Sequence, residues 1–238
     1  MFKRSFFSNL PSVTKNLLIL NVIIWVFIAI APATTGQKLI NLGALHYVTS
    51  PGFGIWQLIT YMFIHENFMH LFFNMWALLM FGMLIEQALG SKRFLLYYLS
   101  CGVGAAIVQL IVNGLMIQHY SAMISPAEFA VLGEHSSPVL GSLNSLINGA
   151  TIGASGAVYG ILLAMGMMFP NMTMYLMFVP YPIKAKWLVI GFGLIEILLG
   201  FSSPGDGIAH FAHLGGMLFG FIMIWYWKKQ ARKNGRWL

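Results

Sequence analysis

The sequence predicts an all-α membrane protein, a bundle of six transmembrane helices with both termini cytoplasmic. Three observations predict it. Only 8% of the 238 residues are Asp, Glu, Lys or Arg, and 58% are hydrophobic. Roughly a quarter of an ordinary soluble domain is charged, so lipid must be the solvent for most of this chain. Six stretches, at about 16–32, 68–89, 94–117, 151–169, 185–202 and 208–227, approach the ~20 mainly apolar residues that cross a bilayer as a helix. Basic residues, finally, fall almost wholly on one side of those six stretches.

The first stretch follows Lys3 and Arg4. No small-residue cleavage site follows its apolar run from Leu17, so it reads as a retained helix and not as a signal peptide. About 35 residues of mixed character, including Trp56 and Tyr61, separate it from the second. Residues 171–182 are apolar but short and end in Pro180 and Pro182, which predicts an interfacial segment. Lys3, Arg4 and Lys15 precede span 1, and Lys92 and Arg93 join spans 2 and 3. Lys184 and Lys186 precede span 5, and Lys228, Lys229, Arg232, Lys233 and Arg236 follow span 6. That sets 12 of 13 basic residues on one side, with Lys38 opposite. Basic loops stay cytoplasmic, so both termini should be cytoplasmic; the expected location is the cell inner membrane. Glu66, Glu128, Glu134 and Asp206 fall in the opposite loops.

One domain is expected over 1–238, with a core at about 17–227 and short basic tails. The formal charge of +7 does not imply nucleic acid, because the basic residues are not gathered into one patch; the expected partner is the bilayer. The single cysteine, Cys101, excludes an intrachain disulfide.

Polar groups within spans are functional candidates, because hydrocarbon makes them costly. Gly153-Ala154-Ser155-Gly156 opens the fourth span after a loop-like run that includes Asn144, Asn148, Gly149 and Thr151. A helix predicted to begin near Gly153 puts Ser155 in its first turn, where unpaired N–H groups and the positive end of the dipole suit a developing oxyanion. Taken alone, the same residues also read as a small-residue packing seam, since Gly156 and Gly160 form a GxxxG pair. His213 in span 6 shares a face with Gly216 and Gly220, three and seven residues on. Glycines beneath a histidine allow a close helix approach. His210, one turn nearer the outer surface, reads as structural. His70 and Asn74, four residues apart in span 2, also share a face, and both can donate to a charged oxygen or bond between helices. Tyr159 lies one turn beyond Ser155.

Together these residues resemble the rhomboid family of intramembrane serine proteases. The resemblance rests on His70-Leu71-Phe72-Phe73-Asn74, on Gly153-Ala154-Ser155-Gly156, and on Ala212-His213 followed by Gly216 and Gly220. Gly82, Glu86 and Gly90, leading into Ser91-Lys92-Arg93-Phe94, also look like the end of the family's second helix. It implies a Ser–His dyad, with Ser155 as nucleophile and His213 as general base. His70, Asn74 and the Ser155 backbone N–H would hold the oxyanion, and Tyr159 would pack on the histidine. The region at about 33–62 would be a membrane-associated first loop. Span 5, with the loop around Ser202–Gly207, would be the gate admitting substrate. The resemblance also implies single-span membrane-protein substrates with a destabilised helix and a small residue at the cut. One departure is Gln57 after Trp56, where the family often has arginine, which puts the anchoring of that loop in question.

Neither Glu196 in span 5 nor Asp206 in the loop before span 6 is expected beside His213, so the expectation is a dyad without a third member. No cofactor and no metal is expected. His65, Glu66 and His70 superficially evoke a zinc site, but histidines five apart lie about 140° apart around a helix instead of on one face. Two other classes compete: a rhomboid-like binding protein without activity, which would lack the Ser155–His213 pair, and a small transporter, suggested by the intramembrane histidines and Glu196.

Overall fold

The computed structural model describes residues 10–124, 138–175, 181–202 and 208–235. Lys3, Arg4, Glu128, Glu134, Pro180, Asp206, Arg236 and most of the Ser202–Gly207 loop lie outside the described residues. The architecture is helical. Helix α1 (Ser12–Ile30) is followed by α2 (Ala33–Gly43), α3 (Gln57–Thr60) and α4 (Phe68–Leu89), which passes through a π turn at Leu78–Gly82. Then come α5 (Ser91–Met123), α6 (Pro138–Asn148), α7 (Ser155–Met168), α8 (Ala185–Ser202) and α9 (His210–Lys233).

Among the described residues, α1, α4, α5 and α8 are long and apolar enough to cross a membrane. Helix α7 is different. It has 14 residues, about 21 Å at 1.5 Å per residue, against the ~30 Å of a bilayer core. It touches α4, α5, α8 and α9, and it buries Gly156, Ala157, Val158, Gly160, Ile161, Leu162, Ala164 and Met165. A helix apolar on every side belongs at a centre, and α7 occupies it. Helix α1 is peripheral. Its buried residues Thr14, Leu17 and Asn21 form one stripe, and Ile23, Phe27 and Ile30 face outward, as the lipid-facing side of a span would.

Polar side chains tie the ends of these helices. The Glu86 carboxylate accepts from Val13 N (2.9 Å), Thr14 N (2.7 Å), Thr14 Oγ1 (2.7 Å) and Ser91 Oγ (2.7 Å). It satisfies the unpaired N–H groups that open α1, at the end of the dipole that favours an anion. Gly90 turns the chain from α4 into α5 at φ +78°, in the left-handed region that glycine enters without strain. Lys228 Nζ donates to Met167 O at 2.6 Å, closing the carboxyl end of α7.

In the region between α1 and α4, Gln57 ties several backbone groups together. Its Oε1 accepts from His46 N (3.1 Å), and its Nε2 donates to Gly52 O (2.8 Å) and Leu42 O (3.3 Å). Trp56 Nε1 donates to Leu42 O (2.9 Å). The departure from arginine therefore leaves the loop anchored, because an amide both donates and accepts. The sequence also did not anticipate two short β pairings. Strand β1 (Leu45–His46) pairs antiparallel with β2 (Ala150–Thr151), and β3 (Thr173–Met174) with β4 (Ile183–Lys184). The first holds the loop against the segment that leads into α7, so Ala150 and Thr151 are extended and the helix begins at Ser155, two residues after the expected start near Gly153.

Candidate active site

Ser155 is the first residue of α7. Gly153, two residues earlier, has φ +115°, and a Cβ there would sit 2.6 Å from His70 Nε2. Glycine is required twice over, by the backbone conformation and by the ring against it. Gly153 N donates to Tyr61 O (2.9 Å), which fixes the turn that presents Ser155. The N–H groups of a first helical turn have no intrahelical acceptor.

His213 is carried by α9, and α9 packs closely on both α5 and α7. A Cβ on Gly216 would lie 1.8 Å from Gly156 O, and one on Gly160 3.2 Å from Gly216 O. A Cβ on Gly220 would lie 2.4 Å from Tyr97 Oη, and one on Gly156 2.5 Å from the Ala105 Cβ. The backbones thus meet where side chains are missing. The close approach brings His213 Nε2 to 2.8 Å from Ser155 Oγ. Tyr159, one turn along α7, stacks on the imidazole with centroids 4.2 Å apart and planes 4° from parallel. A hydroxyl bonded to an imidazole can give up its proton as it attacks a carbonyl.

The expectation that no carboxylate stands beside His213 is wrong. Glu196 is 5% exposed on α8, and its Oε2 lies 2.9 Å from His213 Nδ1. Nδ1 is close to the carboxylate without a well-aimed hydrogen bond to it. The same oxygen lies 2.6 Å from His210 Nδ1, and Tyr159 Oη donates to Glu196 Oε1. The signal for Glu196 was present in the sequence as an ionisable residue inside an apolar span. Its partner was not.

His70 and Asn74 sit on α4 and, with Ser155, Tyr159 and His213, line a cavity of about 600 Å³ that also reaches Glu66, Phe73 and Phe192. Asn67 starts α4, its Oδ1 accepting from His70 N at 2.9 Å. Asn74 Nδ2 donates to His70 O, one turn back, at 2.9 Å, so one of its two N–H groups is used within its own helix. His65 and His70 do meet, contrary to the ideal-helix angle, because His65 precedes the helix; their rings approach edge to face at 5.0 Å. Burial, reinforced by His70, lowers His65 to about 4, so it is neutral at pH 7. Among the described residues, the donors close enough to share a metal ion are those of Glu196, His210 and His213, within 4.8 Å of one another. Their carboxylate–imidazole separations of 2.6 and 2.9 Å are direct-contact lengths. Ligands around tetrahedral zinc at 2.0–2.1 Å stand roughly 3.3 Å apart.

Long apolar helices around a short central one, with a serine and a histidine meeting at a cavity, define a multi-pass membrane protein with a buried polar site. The chain belongs to the rhomboid family: the Rhomboid domain model matches residues 52–230. Rhomboid protein 1, mitochondrial, of Saccharomyces cerevisiae is 27% identical over 183 residues, covering 74% of this chain and 45% of the yeast protein. Rhomboid-like protease 3 of Toxoplasma gondii is 24% identical, covering 84% of this chain and 62% of its own length. Rhomboid protease GluP of Bacillus subtilis is 27% identical, covering 89% and 34%. The chain spans about half the length of the curated relatives it matches.

Proposed function

We propose that this chain is an intramembrane serine endopeptidase that hydrolyses a peptide bond in or near the transmembrane segment of membrane-protein substrates. The observation that carries the reading is the 2.8 Å contact between Ser155 Oγ and His213 Nε2 at a cavity between helices. Ser155 Oγ attacks the scissile carbonyl while Nε2 takes the hydroxyl proton. The resulting oxyanion is held by the Ser155 backbone N–H, His70 and Asn74. His213 returns the proton to the leaving amine, and water then hydrolyses the acyl-enzyme by the same path reversed. The short α7 recesses Ser155 from the outer face, which gives water a route to it. Substrates are single-span proteins with a destabilised helix and a small residue at the cut, and α8 is the gate they pass. No cofactor enters these steps.

A fluorophosphonate probe is expected to label the purified protein in the presence of EDTA and to leave Ser155→Ala unlabelled. Labelling at equal rates in both proteins would end the reading; labelling abolished by EDTA and restored by zinc would replace it with metal chemistry.

The reading includes a single membrane domain with α1, α4, α5, α7, α8 and α9 as its six spans, both termini cytoplasmic, in the cell inner membrane. Reporter fusions near residues 45, 130 and 205 are expected to report the outer side, and those near 92, 184 and 235 the cytoplasm. An outer-side signal at 235 would mean an odd number of spans.

The oxyanion roles predict a kinetic signature. Asn74→Ala is expected to lower kcat by up to about 10²–10³, the usual effect of removing one strong donor, while raising KM little. Measuring the melting temperature and kcat on one sample decides the matter. A destabilised but fully active protein would make Asn74 a packing residue.

A further inference from the structure

We infer that Glu196 is a positioning residue for His213, the third member of a Ser155–His213–Glu196 triad. The inference rests on the protease reading and adds to it a function for the carboxylate that the bundle buries. Two observations carry it. The first is the chain of contacts, Ser155 Oγ to His213 Nε2 at 2.8 Å and His213 Nδ1 to Glu196 Oε2 at 2.9 Å. The second is that Glu196 is itself fixed, by Tyr159 Oη at Oε1 and by His210 Nδ1 at Oε2, and 5% exposed in an otherwise apolar stretch of α8. A carboxylate in such surroundings is costly unless it is held by hydrogen bonds, and here its partners converge from α7 and α9.

The chemistry follows from proton positions. For Nε2 to accept the Ser155 proton, a neutral His213 must carry its own proton on Nδ1. An acceptor at Nδ1 selects that tautomer and holds the ring in plane with the serine. When Nε2 takes the proton, the ring becomes a cation, and the carboxylate 2.9 Å away stabilises it without being protonated itself. The loose aim of Nδ1 toward Oε2 suits a bond that tightens only as charge develops. Tyr159 takes two parts at once. Its ring stacks on His213, and its hydroxyl holds Glu196.

Glu196→Gln keeps the size of the side chain and removes its charge. Its kcat is expected to fall by up to about 10⁴, the loss when the acidic member of a serine-protease triad becomes an amide, with KM within about threefold. Nitrogen-15 spectra of histidine-labelled protein are expected to show His213 protonated at Nδ1 in wild type, and a mixed population of tautomers in Glu196→Gln. A second variant, Tyr159→Phe, keeps the stacked ring and the carboxylate but removes the bond to Oε1, and a kcat loss of about tenfold is expected. Wild-type kcat per folded molecule in both variants would overturn the inference, whatever happens to melting temperature. So would a wild-type His213 protonated at Nε2. The protease reading fails separately, if Ser155→Ala cleaves like wild type; the tautomer spectra then decide on Glu196 alone.

Discussion

Ser155→Ala and His213→Ala are each expected to abolish cleavage of a model transmembrane substrate, and the double variant to be no worse than either single one. Nucleophile and base act as a unit, so the first removal takes nearly the whole effect. In a soluble serine protease either loss costs about 10⁶ in kcat, as much as removing the entire set. Ser155 Oγ and His213 Nε2 are bonded at 2.8 Å, and in the proposed mechanism neither group has work to do once the other is missing. The measurement is initial cleavage rate on purified, folded variants. Additive losses, with each single variant keeping substantial activity, would show that the two side chains do not share one step.

Gly216→Ala is expected to have the second-largest effect, and it touches neither reacting side chain. The added methyl would lie 1.8 Å from Gly156 O, a backbone atom that has no rotamer to turn away. Helices α7 and α9 must part by more than an ångström to admit it. Overpacking of this kind costs about 1–3 kcal/mol and occasionally more. It also widens the gap between Ser155 and His213, and a displacement of about 1 Å at a reacting pair can cost about 10² in rate. Both melting temperature and kcat should therefore fall. Gly191→Ala is the control. It lies on α8 with nothing within 4 Å of its missing Cβ, and the same chemical change there is expected to leave activity unaltered. Equal behaviour of the two variants would mean that the glycine face of α9 does not set the spacing.

The sequence by itself determined the helical order of this protein and most of its polar inventory. The predicted stretches at 68–89 and 185–202 coincide with α4 and α8, because twenty apolar residues satisfy their own backbone only as a helix. The shared faces of His70 with Asn74, and of His213 with Gly216 and Gly220, follow from the 3.6-residue period and needed no neighbour to be read. The start of α7 lies two residues beyond the expected Gly153, after a segment in which Ala150 and Thr151 pair with His46 and Leu45, partners far away in the sequence. Tertiary structure alone decided what meets across helices. Glu196 and His213 stand 17 residues apart on different elements, so their 2.9 Å contact depends on how α8 and α9 rotate about their own axes. That rotation is set by side-chain packing over the whole bundle, and no local period records it. Gln57 shows the same limit at the first loop, where the amide replaces a cation because of the backbone carbonyls of Leu42 and Gly52 that the fold sets around it.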